Sequence, residues 1–376
     1  MSIAIRSIAA SLRTLLASAV DYAGLYPPAS LAMVHCVANF ANYLHHPHSW
    51  LLGRFVLPAS RLDEFLEARE RVAPVDEAKD DAGPVDAIEH PWRLSAILSG
   101  DFAHEIEVIK AFNHGTHGAL IEAVELCVST PEEIKEVRRL AEPGIRVFFE
   151  VRPERAAELL PLISHEGSYA SPQQAKYGLP PHQANCGLVG DPGLAGDPAG
   201  DHARGHAGCY AKLRTGGVSA EAIPSVEVVV DFLVRCAEFN LPFKATAGLH
   251  HALRCVAPLT YEAESPRATM YGFLNLFTAA AIEWSAQKAD GPAPREMLAA
   301  CLADSDRKHW WFTDHTLTWR GVPEPPHPSK PTTGLPGTPL KFQLGTLAEM
   351  RSKFALSFGS CSFEEPIDEL RALELL

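Results

Sequence analysis

The chain has 376 residues, of which 47% are apolar and 21% charged, with a formal charge of −13 and eight cysteines. No apolar run is long enough to span a bilayer, and no basic stripe is available to neutralise phosphates. The composition therefore speaks against membrane and nucleic-acid partners. The widely spaced cysteines, without a C-x-x-C pair, read as reduced thiols in a cytoplasm.

The opening stretch "MSIAIRSIAASLRTLLASAV" is basic and Ser/Ala-rich, as a transit peptide is. Arg13 interrupts any signal-peptide core, and the stretch reads as a short amphipathic helix closing the underside of a domain. Strand-like and helix-like runs then alternate. Residues 15–22 predict a first strand, with helical periodicity over 29–45. Residues 50–58 predict a second strand, followed by "SRLDEFLEARERV". Residues 92–100 predict a third, followed by "DFAHEIEVIKAF". Residues 119–128 predict a fourth, and the helix after it opens with Thr130 as cap, a proline and two acids. The fifth strand is "IRVFFEV" (145–151), the sixth "YAKLRTGG", the seventh "PFKATAGL" (242–249) and the eighth "KFALSFGSC" (353–361), each with a helical run behind it.

Eight strand–helix units predict an α/β fold, a single (β/α)8 TIM barrel over residues 1–376. A doubly wound open sheet is the alternative, but no G-x-G-x-x-G opens the first unit. Three Gly/Pro-rich insertions are expected between barrel elements, at 71–91, 165–208 and 321–341. The second contains the loose echo "GDPGLAGDPAGD" and is expected to be the least ordered, a lid over the barrel mouth.

In such a barrel the chemistry belongs at the C-terminal ends of the strands. The polar residues expected there are Asp21, Arg54, Ser99, Glu122 or Glu125, Glu150, Lys212, Arg214, Lys244, Thr246, Ser357 and Ser360. Alternation puts Lys212 and Arg214 on one face of the sixth strand, and Lys244 and Thr246 on one face of the seventh. Lysine is seldom buried, and an unpaired buried ammonium is costly. Either carboxylates such as Glu150 neutralise these cations in a structural network, or three cations on adjacent strands face a substrate. Two neighbouring lysines suit amine chemistry, because an amine attacks a carbonyl only when neutral. A cation two residues along a strand, roughly 6.5 Å away, costs an ammonium about 2.5 kcal/mol at an effective dielectric near 20. Arg214 and Lys244 are thus expected to lower the pKa of Lys212.

The motifs Lys212…Thr215-Gly216, Lys244-Ala245-Thr246-Ala247-Gly248 and Gly359-Ser360-Cys361-Ser362 stand on successive strands in that order. Over roughly 145–362 the chain resembles the deoxyribose-phosphate aldolase family of Schiff-base barrels. That family has a lysine then Thr-Gly on strand 6, Lys-Ala-Ser-Gly-Gly on strand 7 and Gly-Thr-Ser-Ser ending strand 8. The resemblance implies that Lys212 is the Schiff-base lysine and Lys244 its pKa-lowering neighbour. It also implies an acidic proton shuttle at Glu125 or Glu122, where the family has an aspartate. The chain departs from the family at its first strand, where "DYAGL" replaces Asp-His-Thr-Leu, and in carrying Arg214 inside the strand-6 motif. "TDHTL" at 313–317 lies outside the matching position.

The expected reaction is a Schiff-base, aldolase-type cleavage or formation of a carbon–carbon bond on a small carbonyl or acidic metabolite. Catalysis is expected from Lys212, Lys244, Glu125 and Glu150. Binding is expected from Asp21, Arg54, Arg214, Thr246, Gly248, His250, Gly359 and Ser360. Gly248 and Gly359-Ser360 suit backbone contacts to an anion, yet Ser362-Phe-Glu-Glu365 reads as a capping box whose Glu364 and Glu365 repel a phosphate. No cofactor and no metal site are expected: "HHPH" (45–48), His250-His251 and His202…His206 lack a ligand pattern. The cysteines, Cys361 included, read as small buried hydrophobes. Two alternatives remain: a metal-independent hydrolase or isomerase using His250 or His251 with Glu150, and a non-catalytic barrel holding an acidic metabolite through Arg54, Arg214 and Lys244. The partner is a small molecule in each reading, and homo-oligomerisation is left open.

Overall fold

A computed structural model describes residues 8–72, 91–115, 117–164, 208–321 and 339–376. β-Branched and aromatic residues alternate with small ones in eight short runs, and each run is followed by an amphipathic helix that covers it. In chain order the elements are α1 (Ala10–Leu16), β1 (Val20–Tyr22), α2 (Met33–Leu44), β2 (Leu52–Pro58), α3 (Leu62–Arg71), β3 (Trp92–Ile97) and α4 (Phe102–Asn113). They continue with β4 (Ala119–Val128), α5 (Pro131–Leu140), β5 (Arg146–Val151), α6 (Ala156–Ile163), β6 (Gly208–Arg214), α7 (Val226–Glu238) and β7 (Phe243–Thr246). A hairpin follows, β8 (Cys255–Pro258) and β9 (Arg267–Met270), then α8 (Phe273–Ala289) and α9 (Arg295–Ala303). The chain closes with β10 (Trp310–Phe312), β11 (Thr316–Arg320), β12 (Pro339–Gln343), α10 (Leu344–Lys353), β13 (Ala355–Ser360) and α11 (Glu364–Ala372).

Eight strands form a closed barrel in the order β1-β13-β7-β6-β5-β4-β3-β2, with every neighbouring pair parallel. The fold is therefore a (β/α)8 TIM barrel, as the alternation implies. Buried aromatics on β1, β2, β3, α2 and α3 (Tyr22, Phe40, Phe55, Phe65 and Trp92) stack between strands and helices on one flank. The helix after β4 carries the expected Thr130 cap, which the structure extends to a capping box, with the Thr130 hydroxyl and the Glu133 carboxylate reciprocally bonded to backbone N–H groups.

Several boundaries differ from expectation. Leu15 and Leu16 belong to α1, and the first strand is only Val20–Tyr22, because the apolar spacing of Leu12, Leu15 and Leu16 is helical. α1 packs against α10 and the small sheet, and Ser11 N–H donates to the Thr313 carbonyl at 3.1 Å. The third insertion is not all excursion. Its end, from Pro339, pairs antiparallel with β11, and "TDHTL" turns into that strand. The β8–β9 hairpin and the β10–β11–β12 sheet lie outside the eight expected units. The cores of the insertions, 73–90, 165–207 and 322–338, lie outside the described residues, as does the expected lid. Among the described residues no helix is long and apolar enough to cross a membrane.

Candidate active site

Parallel register sets Glu150 of β5 beside Lys212 of β6, and Lys212 beside Lys244 of β7. Inward alternation then brings side chains from β1 and β4 between them. The result is an ion chain of alternating sign. Arg214 Nε meets Glu150 Oε1 at 2.7 Å, and Glu150 Oε2 meets Lys212 Nζ at 3.0 Å. Lys212 Nζ meets Glu125 Oε2 at 2.9 Å, and the other oxygen of Glu125 meets Lys244 Nζ at 2.5 Å. Lys244 Nζ also meets Asp21 Oδ2 at 2.6 Å and lies 5.5 Å from the centre of the Phe148 ring.

Side-chain exposure falls along this chain, from 50% at Arg214 through 6% at Lys212 to 1% at Lys244 and 0% at Asp21. The chain thus descends from solvent at the strand ends into the barrel interior. Lys212 is the amine nearer the mouth, and Lys244 is sealed beneath it.

The carboxylates are held from behind. Ser95 of β3 donates to Glu125 Oε1 at 2.7 Å, and Ser357 of β13 donates to Asp21 Oδ2 at 2.8 Å. The Arg54 backbone N–H donates to Asp21 Oδ1 at 2.8 Å. Gly53 makes room for that contact: a Cβ there would stand 2.4 Å from Asp21 Oδ1. The Arg54 guanidinium turns to Glu122 at 3.2 Å, and Arg93 clamps the same carboxylate at 2.9 and 3.0 Å. The choice between Glu122 and Glu125 is thereby made: Glu125 bridges the lysines, and Glu122 serves the arginines.

The protonation pattern differs from the sequence expectation. Burial pushes the Glu125 carboxyl up, but Lys244 and Lys212 outweigh it and hold it well below the usual carboxylate range. Asp21 and Glu150 are likewise lowered by their cations against the effect of burial. For Lys212, burial alone favours the neutral amine, but Glu125 and Glu150 against Nζ reverse this and raise its pKa. The expected lowering by Arg214 and Lys244 fails because carboxylates at about 3 Å stand between the cations, and Coulomb energy falls with distance. The resting amine is an ammonium.

The remaining predicted residues gather at the mouth of β7 and β13. The Thr215 hydroxyl donates to the Ala247 carbonyl at 2.6 Å, fixing the turn after β7. In that turn Ala247 (φ +61°) and Gly248 (φ +75°) are both left-handed, the first at some steric cost. A Cβ on Gly216 would come within 3.0 Å of the Gly248 Cα, so the Thr-Gly and Gly of the two motifs pack backbone on backbone. Thr246 lies against Gly359. The turn delivers His250 to Ser360, with Nδ1 3.3 Å from the hydroxyl and 2.8 Å from Glu365 Oε2.

Three expectations are corrected here. Glu365 does not complete a capping box: its N–H donates to Ser362 Oγ at 3.1 Å, while its carboxylate goes to His250. His250 and His251 pair with Glu365 and Glu369 of α11, not with Glu150. Cys361 is buried, as expected, but not among apolar groups alone, since its sulfur faces His250 Nε2 at 3.9 Å and the Tyr261 hydroxyl at 3.5 Å. Ser99 is bound by Glu105 at 2.7 Å beside a cavity of about 400 Å³ shared with Asp63 and His104. Sequence reasoning passed over Ser95, Gly53 and Tyr261. Ser95 carries a signal, a hydroxyl amid apolar neighbours on a strand, whereas Gly53 and Tyr261 carry none.

Fold and site together define a closed (β/α)8 barrel with a buried, alternating lysine–carboxylate chain opening at the C-terminal ends of its strands. No family model, curated protein or solved structure matches the chain.

Proposed function

We propose that the protein is a Schiff-base lyase of aldolase type, acting on a small carbonyl compound through Lys212. The observation that carries the reading is the Glu125 carboxylate bridging Lys212 and Lys244 at 2.9 and 2.5 Å. A Schiff-base cycle needs a reachable amine and a group that passes protons beside it. Lys212, buried but the nearer of the two lysines to the mouth, serves as the amine, and Glu125 with Lys244 behind it as the proton path. The deoxyribose-phosphate aldolase resemblance likewise implies Lys212 as the Schiff-base lysine and a glutamate of β4 as proton shuttle, but it implies Lys244 as a pKa-lowering neighbour.

The first step follows from the charges. Lys212 must lose a proton before it attacks, and Glu150, on the mouth side of Nζ, is the adjoining base. The amine nitrogen then bonds the carbonyl carbon, and loss of water leaves the imine. Glu125, ionised at rest, takes a proton from the carbinolamine nitrogen and hands it to the oxygen, and Glu150 returns its proton so that water leaves; hydrolysis reverses these transfers. Because the resting amine is charged, turnover should rise toward alkaline pH. A phosphorylated substrate is disfavoured by Glu364 and Glu365 in the first turn of α11.

The binding-protein alternative asks Arg54 and Lys244 to hold an acid, but both cations are already engaged by buried carboxylates. Arg214, half-exposed, is the member of that set with a face toward solvent.

Borohydride reduction in the presence of a small aldehyde tests the proposal. The added mass is expected on the peptide containing Lys212, and Lys212→Arg should abolish it, because a guanidinium stays charged. Label on Lys244 alone, or scattered over surface lysines, would overturn the assignment.

A further inference from the structure

A second cluster at the barrel mouth is assembled from three separate parts of the chain. Cys361 follows β13, His250 lies in the loop after β7, Tyr261 sits between β8 and β9, and Glu365 is in the first turn of α11. His250 Nε2 faces the Cys361 sulfur at 3.9 Å, and Nδ1 meets Glu365 Oε2 at 2.8 Å. Thiol, imidazole and carboxylate thus stand in the order nucleophile, proton carrier, orienting group. The Tyr261 hydroxyl is 3.5 Å from the same sulfur.

The charges suit a nucleophile. Burial favours the neutral Cys361 thiol, but hydrogen bonds and charge from His250, with Tyr261 and the Ala29 N–H, hold its pKa below the ordinary value. Burial also opposes a charged His250, yet Cys361 and Glu365 raise it to about 9. Cys36 of α2 also faces the cluster, and burial keeps its thiol protonated, with a pKa of about 11. The ring therefore favours the imidazolium near neutrality, and the sulfur beside it is more acidic than an ordinary thiol. Both side chains that touch the sulfur, His250 and Tyr261, line a cavity of about 420 Å³. Pro28, Leu259 and Met270 give it an apolar wall, and Glu365 and Asp368 an acidic rim.

We propose that Cys361 is the nucleophile of a second reactive site, which takes the acyl group of a small apolar ester or thioester from this cavity. The sulfur adds to the carbonyl carbon, the carbon–oxygen or carbon–sulfur bond to the leaving group breaks, and the leaving group takes the His250 Nε2 proton. Water then hydrolyses the acyl-cysteine, giving up its proton to the imidazole and restoring the starting pair. The acidic rim disfavours free fatty acids and other anions. The chemistry makes no use of Lys212, so it is independent of the Schiff-base reading.

The test is acylation of the full chain by p-nitrophenyl butyrate near pH 7, with acid quenching and peptide mass mapping. The expected result is a burst of about one nitrophenolate per chain, with the butyryl mass on the Cys361 peptide. His250→Gln should slow the burst at least tenfold. Cys127→Ala should leave it unchanged, although Cys127 is exposed, because burial and Glu150 keep that thiol protonated. Absence of a burst, or butyryl on Cys127 or on lysines in place of Cys361, would overturn the proposal. The mapping uses the unmodified protein, so it decides the matter even where a variant fails to fold.

Discussion

The two charged clusters of this barrel are built on opposite principles. The chain from Arg214 to Asp21 is carried entirely by barrel strands, and strand register fixes each member against the next. The cluster around Cys361 and His250 is carried by loops and a helix end, and its carboxylate, Glu365, is 37% exposed. A buried ion pair that loses one partner leaves an uncompensated charge, whereas a half-exposed carboxylate recovers its hydration. Strand-borne charges are therefore part of the fold's stability, and loop-borne ones are free to serve reactivity.

That contrast can be broken first at Lys244. Lys244→Met leaves Asp21 and Glu125 facing each other without their shared ammonium, and a loss of about 3–5 kcal/mol is expected in chemical denaturation. A loss under 1 kcal/mol would mean that water reaches this layer. Gly53→Ala acts on the same layer from the backbone. Its Cβ displaces Asp21 at about 1–3 kcal/mol, with no change in the mouth cluster, measurable as a lower Tm with an unaltered butyryl burst.

pH separates the clusters next. Asp21, Glu125 and Glu150 have folded pKa values below their unfolded ones, so their stabilisation is present above about pH 4 and lost as pH falls. Lys212 has a raised folded pKa, so its part is present below about pH 10 and lost only above that. His250 is raised to about 9, so its part is complete below about pH 6.5 and lost as pH rises through 9. Between pH 7 and 9.5 the strand cluster should hold steady while the mouth cluster weakens. His250→Gln should reduce the slope of the stability curve in that window, with His251, raised to about 10 by Cys255 and Glu369, carrying the rest, and should soften the acid limb because His250 holds Glu365 low.

The strand cluster was partly legible in the sequence because period-2 alternation is local. It places Lys212 and Arg214 on one face and marks lysines amid apolar strand residues as anomalous. Glu150 and a strand-4 glutamate were expected as neutralising partners, and they are, but their geometry was not legible in the same way. Glu125 and Lys244 are 119 positions apart, and Asp21 and Lys244 are 223 apart, so only barrel closure fixes their distances. That is why the sequence, counting cations along and between strands, gave the wrong sign for the Lys212 pKa. The mouth cluster was less legible still. Bringing His250 to Cys361 depends on two consecutive left-handed residues, one of them the alanine at 247, which has no turn-forming character of its own. The β10–β11–β12 sheet escaped notice because two of its strands flank a Pro-rich stretch, whose composition reads as loop.

The most direct measurement is the pH dependence of borohydride trapping at Lys212 in the unaltered protein and in Glu150→Gln. Removing that carboxylate takes away one of the two anions holding the ammonium and frees Arg214 to oppose it. Trapping in the unaltered protein should climb steadily from pH 7 toward pH 10, and the variant's profile, scaled to its own plateau, should have its midpoint moved down even where loss of the base slows trapping overall. Coincident midpoints, or a midpoint moved up, would contradict the claim that carboxylates from β4 and β5 hold the Lys212 amine in its charged state.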